Sequence, residues 1–347
     1  MPIKPETLTS FVTDIFQAAG APQAHARLVA ESLVRTNLTG HDSHGVVRVP
    51  TYLGGIAAGA IKPEAEAIVA QETGGVTMVD GQMGFGQVTA NFAMQVTIEK
   101  AQQQGVAATG LLNSNHVGRL GEWVEMAAAQ NMIGLAFCNV YGGPMRRVAP
   151  LGGIRPLLGT NPFAAAVPVA NRAPIVLDFS TSVVSEGKVR LARNQNQAVP
   201  EGWLLDANGQ PTVNPHDLYQ GGALLPMGGY KGFGLLVLME LLGGVLMGTS
   251  GLGLPGLISR NGVLFIVLAI EAFRSVEAFL AETAEFYADV KAEPSAEGIE
   301  ELLLPGDPEE QAIKRRHQSI PLDEPTWQLL SKAATDLGVA IPLRNAD

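Results

Sequence analysis

Gly251-Leu-Gly-Leu-Pro-Gly256 is the one Gly-x-Gly-x-x-Gly in this chain, and its reading decides the fold. In a dinucleotide-binding βαβ unit that fingerprint follows a strand and opens a helix, so that a pyrophosphate meets the helix N-terminus. Here an apolar helical run precedes it, Pro255 lies inside it, and Ile-Ser-Arg-Asn-Gly leads from it into a strand. The stretch reads as a loop, and a Rossmann cofactor site is rejected. Glu186-Gly187-Lys188 supplies no Walker-type phosphate loop either, because the upstream glycine is missing at the required distance.

Outward from this loop, strands and helices alternate. Residues 76–81, 106–112, 133–140, 163–169, 175–179 and 263–270 read as strands. Residues 87–104 (closed by Gly105), 119–130, 230–247 and 271–291 read as helices. Both chain ends read as helical only. Leu8, Phe11, Val12, Ile15, Phe16 and Ala19 make one amphipathic face over residues 5–20, and Gly20 closes it. A second helix starts at Ala21-Pro22, runs to Asn37 or Leu38, and ends at Gly40. Pro50 then opens a short third helix carrying Tyr52. After Pro305-Gly-Asp-Pro the chain is again helical and polar. The expected architecture is α/β (α+β): a non-Rossmann sheet covered by helices, with a discontinuous helical domain from both chain ends. The expected division is 1–70 (helical, active-site part), 71–305 (central α/β cofactor-binding domain) and 306–347 (helical, packing on the N-terminal part).

The 347 residues suit about two domains. Hydrophobic residues make up 46% and charged residues 16%, enough for a sizeable core. With 23 basic against 33 acidic residues, the net charge of −10 argues against nucleic acid or an anionic membrane as main partner. An anionic metabolite, which feels only its local pocket, remains compatible. Cys138 is the single cysteine, so there is no intrachain disulfide and no Cys-rich metal site; it reads as a small core residue. The apolar run 232–248 is broken by Glu240 and four glycines and is too short for a membrane span. Met1-Pro-Ile-Lys-Pro-Glu lacks a signal-peptide layout, and the expected place is the cytoplasm.

Chemistry concentrates in His41-Asp-Ser-His-Gly-Val-Val-Arg48-Val-Pro-Thr-Tyr52. Histidine exchanges protons near neutrality, and the guanidinium fork clamps a carboxylate through two parallel hydrogen bonds. A proton donor beside such a clamp suits a small keto or hydroxy acid; a solvated turn is the plain alternative. The segment leaves a helix C-terminus, which favours a charged imidazole. His41 and His44 stand three apart and could share a metal, but no third ligand is local and the Glu of His-Glu-x-x-His is absent. Elsewhere, His116 sits in Asn113-Ser-Asn-His-Val-Gly118, before a helix start suited to an anion; Asn113, Ser114 and Asn115 could equally cap that helix. Gly159-Thr-Asn-Pro-Phe offers a hydroxyl and an amide. Asp178 lies near a strand end, and Lys231 lies among glycines at the mouth of an apolar helix. His25, His216 and His317 lack such company.

Gly40-His-Asp-Ser-His-Gly-Val-Val-Arg-Val-Pro-Thr-Tyr, Asn115-His-Val-Gly, Gly159-Thr-Asn-Pro-Phe, Asp178-Phe-Ser-Thr-Ser, Tyr230-Lys-Gly and Leu304-Pro-Gly-Asp occur in this order. Together, over residues 5–340, they resemble the malate/L-lactate dehydrogenase family of non-Rossmann type. Its members include sulfolactate and ureidoglycolate dehydrogenases, 2,3-diketogulonate reductase and piperideine-2-carboxylate reductase. The resemblance implies an NAD- or NADP-dependent oxidoreductase, a homodimer without metal, acting on a small 2-keto/2-hydroxy acid carboxylate. Carried over by residue, His44 would be proton donor, Ser43 would orient it and Arg48 would hold the carboxylate. His116 stands as the second acid/base candidate. His116, Gly118, Arg119, Leu120, Thr160, Asp178, Phe179, Ser180, Tyr230, Lys231, Gly306 and Asp307 would line the cofactor. Two departures stand out: Tyr230 replaces the usual His, and Ser319 the usual Gly. Alternatives kept beside this are an NADPH-dependent cyclic-imine (pyrroline- or piperideine-2-carboxylate) reductase, a metal-dependent hydrolase using His41, His44 and His116, and a catalytically silent binder.

Overall fold

The computed structural model describes residues 2–141, 146–249 and 260–343. The Gly251–Gly256 loop lies outside the described residues. In chain order the first elements are β1 (Pro2–Ile3), α1 (Pro5–Ala18) and α2 (Gln23–Leu38). Two 3₁₀ turns (Asp42–His44 and Val46–Arg48) lead into α3 (Val49–Ala57). Then come β2 (Ile68–Thr73), β3 (Val76–Asp80), α4 (Gly86–Gln104), β4 (Val106–Ser114), α5 (Gly121–Ala128), β5 (Met132–Tyr141), β6 (Pro162–Val167) and β7 (Ile175–Ser180). These are followed by α6 (Glu186–Asn194), β8 (Leu204–Leu205), β9 (Pro211–Thr212), β10 (Ala223–Leu224) and α7 (Tyr230–Met239). The chain closes with β11 (Arg260–Ala269), α8 (Val276–Ala292), α9 (Asp307–Arg316), β12 (Ile320–Pro321) and α10 (Glu324–Asp336).

Seven strands form the central sheet in the order β2-β3-β4-β11-β5-β6-β7. Only β3 and β4 run parallel; every other neighbouring pair is antiparallel. A dinucleotide-binding Rossmann sheet is parallel instead, so the mixed sheet agrees with the non-Rossmann expectation. The middle strand β11 buries Val263, Phe265 and Val267. Helices α4 and α5 cover the sheet, and the small buried Ala90, Ala93, Ala101 and Ala127 let their backbones come close.

A second core joins the two ends of the chain. Leu8, Phe11, Phe16 and Leu33 pack with Ile320, Trp327 and Leu330, and the Phe11 and Trp327 rings lie 5.7 Å apart. The ends are not helical only: Ile3 pairs with Ile320 in a two-stranded ladder. Such two-residue strands are too short to leave a period-2 pattern. A third, small core surrounds β8–β10, with Val148, Leu158, Val189, Leu204, Leu218 and Leu236.

Three helices differ from their sequence reading. That of 119–130 starts only at Gly121. That of 271–291 begins at Val276, where the Ser275 hydroxyl caps it. The 230–247 run changes at Glu240 into a π-helical turn, Glu240–Val245. There Gly243 and Gly244 lie directly on β5: a Cβ on Gly243 would stand 2.6 Å from the Asn139 nitrogen. No helix among the described residues is long and apolar enough to cross a membrane.

Candidate active site

The histidine segment is held from both ends of the chain. Asn37, in the last turn of α2, is buried. Its Nδ2 donates to Asp42 Oδ1 (2.6 Å), and its Oδ1 accepts from the Val46 N–H (2.9 Å). Gly45 packs on that amide so closely that a Cβ would stand 2.2 Å from Asn37 Oδ1. From α9, Arg316 donates to both oxygens of Asp42 (2.8 and 3.1 Å) and to the Asn37 carbonyl (2.6 Å).

This frame presents the tips of His44 and Arg48 without a partner among the described residues. His44 Nδ1 lies 3.0 Å from Ser43 Oγ. Arg48 Nε donates to the Ser43 carbonyl (2.7 Å); its two terminal nitrogens have no protein partner among the described residues. Helix α6 roofs the segment, since a Cβ on Gly187 would lie 3.0 Å from Ser43 Cβ. One turn on, Arg190 makes no hydrogen bond or ion pair among the described residues. Nearby, Glu186 accepts from the Tyr219 hydroxyl (2.6 Å), and the Arg193 guanidinium lies 4.1 Å from the Tyr219 ring centroid.

His116 arrives from the turn after β4. Gly86 opens α4 against it; a Cβ there would meet the His116 carbonyl oxygen at 2.1 Å. Asn115 caps nothing. Its Nδ2 ties the turn to the carbonyls of Ala60, Met83 and Gly84. The His116 ring stacks on that of His44, centroids 5.4 Å apart and 24° between planes. Tyr52 Oη lies 2.7 Å from His116 Nδ1 and accepts from Gln87 Nε2 at 2.8 Å. Gln87 was not singled out in the sequence, and no local pattern marks it: it reads as one more polar residue opening a helix.

Both imidazoles are neutral. Burial first, then the Arg48 and His41 charges, push His44 down to about 3. Burial, Arg48 and His44 hold His116 well below its ordinary value. This corrects the expectation of a charged imidazole, because desolvation and a neighbouring guanidinium outweigh a helix C-terminus. Burial also lowers Arg48 and pushes Tyr52 up to about 12.

His41 turns away from His44, its Nε2 2.9 Å from Glu309 Oε1 on α9, so the three histidines make no ligand set. Among the described residues no three His, Cys, Asp or Glu side chains are grouped to hold a metal ion. The anion expected at the start of α5 is the protein's own Asp178, whose Oδ2 accepts from the Gly121 N–H at 2.7 Å. Arg119 is buried against Glu125, with Nε and Nη1 unpartnered. Gly118 is left-handed, and Leu120 is buried. The Thr160 carbonyl accepts from Thr181; Phe179 packs on Phe163; Ser180 Oγ is 3.1 Å from Ser182 Oγ. Gly306 is left-handed and leads into α9, where Asp307 is engaged by Arg172, Lys291 and Tyr287. Tyr230 and Lys231 stand exposed at the start of α7, beside the left-handed Gly228 and Gly229. No hydrogen bond or ring contact among the described residues joins Tyr230 or Lys231 to His44 or His116. Ser319 has an ordinary φ in the turn after α9, so the departure from glycine costs no backbone strain. Cys138 is buried, and burial pushes its thiol up.

Residues 3–331 match the malate/L-lactate dehydrogenase family. Hydroxycarboxylate dehydrogenase B of Escherichia coli (strain K12) is 37% identical over 342 residues, covering 96% of this chain and 94% of that one. Among solved structures, sulfolactate dehydrogenase from Methanocaldococcus jannaschii superposes with a TM-score of 0.89 at 32% identity, over 98% of each chain. The Δ1-piperideine-2-carboxylate reductase from Pseudomonas syringae gives 0.86 at 30% identity, over 96% of this chain and all of that one. With its mixed seven-stranded sheet and its paired histidines beside an open arginine, the chain belongs to the malate/L-lactate dehydrogenase family.

Proposed function

We propose that this enzyme interconverts a small 2-keto acid and its 2-hydroxy acid, with Arg48 holding the substrate carboxylate and His44 exchanging the proton at the substrate oxygen. One observation carries the reading: the open fork of Arg48 beside two stacked, neutral imidazoles whose Nε2 atoms have no protein partner among the described residues. Ser43 orients His44 through Nδ1, and His116 is the second candidate for the proton.

The chain fits a nicotinamide cofactor, NAD or NADP. Gly228 and Gly229 are left-handed with open space where a Cβ would stand, next to the exposed Lys231, and Arg119 keeps two buried unpartnered nitrogens. The holding residues in this reading are His116 to Leu120, Thr160, Asp178 to Ser180, Tyr230, Lys231 and the Gly306-Asp307 turn. When bound, the nicotinamide supplies or takes up the hydride. The protein's part is to fix the carboxylate, place one imidazole nitrogen at the reacting oxygen, and keep the site partly closed under α6.

Arg190, unpaired among the described residues and on the helix that covers Ser43, favours substrates with a second acidic group. The relative from M. jannaschii is named for sulfolactate. A cyclic imino acid would use the same clamp and donor and stays the alternative. The exposed stripe Leu235, Leu238, Leu241 and Val245 supports a homodimer, and the reading is of a cytoplasmic protein. The division 1–70, 71–305 and 306–347 belongs to it too, supported by the apolar cluster that the chain ends share. Absorbance assays of NADH and NADPH oxidation against 2-keto mono- and diacids and cyclic imino acids test the proposal. Turnover of imino acids alone replaces it with the alternative, and no turnover of any of them overturns both.

A further inference from the structure

Two imidazoles face one site, and their outer nitrogens are equally without a partner among the described residues; what differs is the other side of each ring. His44 Nδ1 meets a serine hydroxyl, which rotates and can donate or accept. Its tautomer is therefore adaptable. His116 Nδ1 meets Tyr52 Oη, and that hydroxyl already has a partner, Gln87 Nε2. An amide nitrogen only donates. Tyr52 Oη thus accepts from Gln87, and its single proton points at His116 Nδ1. A neutral ring accepting at Nδ1 carries its proton on Nε2, the nitrogen facing the site.

Gln87 is fully buried in the first turn of α4, and Tyr52 nearly so. The other end of the amide, Oε1, is buried without a partner. An unpartnered buried carbonyl is a cost to stability that an apolar residue of similar shape would avoid. Among the described residues the one hydrogen bond this amide makes is to Tyr52.

We propose that Gln87 is a positioning residue: through Tyr52 it fixes the proton of His116 on Nε2, so that His116 meets the substrate oxygen as a hydrogen-bond donor. This rests on the dehydrogenase reading above for what the oxygen belongs to, but the tautomer belongs to the protein alone. His116 then stabilises the negative charge that develops on that oxygen during hydride transfer, while the neutral His44 takes the hydroxyl proton to become imidazolium in oxidation and returns it from imidazolium in reduction.

Nitrogen-15 NMR of histidine-labelled full-length protein at neutral pH reads the tautomer directly, with His116 assigned by the signals lost in His116→Asn. The expected spectrum has Nε2 protonated and Nδ1 bare in the wild type. In Gln87→Leu, and in Gln87→Met should the first fold poorly, the signals of both tautomers appear. A wild type protonated at Nδ1 overturns the proposal, as does a tautomer unchanged in the folded Gln87 variants. In turnover, Gln87→Leu lowers kcat by about 10- to 100-fold with little change in KM, part of the ~10²–10⁴ an acid–base group supplies. A rise in KM at unchanged kcat overturns it. Because the spectra need no substrate, failure of the relay and failure of the dehydrogenase reading are told apart.

Discussion

Gly45→Ala offers a severe test of how the histidine segment is held. The backbone does not require glycine there, since its φ of −83° is open to any residue. The obstacle is contact: the new methyl would stand 2.2 Å from Asn37 Oδ1 and 2.5 Å from Asn37 Cγ. Asn37 is 1% exposed and cannot swing into solvent without giving up its bonds to Asp42 and to the Val46 N–H. Breaking both costs about 2–4 kcal/mol, counting the buried donor left unsatisfied. Asn37→Ala alone leaves the same N–H without a partner, a loss of about 1–3 kcal/mol. In the double variant the side chain that blocked the methyl is gone, so Gly45→Ala adds almost nothing. Independent effects would sum, whereas this geometry gives a coupling of about 2–4 kcal/mol, the whole of the Gly45→Ala loss. Urea unfolding of the four proteins measures it. Additive losses, or a harmless Gly45→Ala, would refute the claim that the amide packs on Gly45. Both folded single variants should also lose turnover, since His44 and Arg48 hang from the same segment.

Three further outcomes follow from the site. Arg48→Lys replaces a fork by a point charge and should lower kcat/KM for keto acids by about 100-fold, with the circular dichroism spectrum unchanged; unaltered kinetics would remove Arg48 from the clamp. Arg190→Ala should reduce kcat/KM for 2-keto diacids about tenfold more than for monoacids, as one charge-assisted contact is worth; equal losses would count against a second acidic group. His44 and His116 are both held below their ordinary 6.5, so the unfolded chain binds protons that the fold refuses. The stability they contribute is full above that value and is lost as pH falls below it, for His44 down to about 3. At about 1.4 kcal/mol per pH unit per ring, roughly halved for partial exposure, the wild type should lose roughly 2 kcal/mol more than His44→Asn/His116→Asn between pH 7 and pH 5. Equal losses by urea unfolding would show that the rings are not buried neutral.

Local physics made much of this protein legible before any tertiary information. The spacing of Leu8, Phe11, Val12, Ile15 and Phe16 placed α1, the glycines at 20, 40 and 105 closed three helices, and the context of Gly251–Gly256 ruled out a Rossmann unit. The crowding of His41, Ser43, His44, Arg48 and Tyr52 marked the segment proposed as the reactive one. Each of these depends on neighbours within a turn or two of chain, which sequence order supplies directly. Tertiary structure decided the rest. The His44 ring is neutral because burial and Arg48 outweigh the helix end. The start of α5 is closed to an outside anion because Asp178, 57 positions away, takes the Gly121 N–H. Gln87 reaches Tyr52 across 35 positions, and Arg316 grips Asp42 across 274. Desolvation and long-range hydrogen bonds exist only once distant segments meet, so no periodicity or spacing along the chain encodes them.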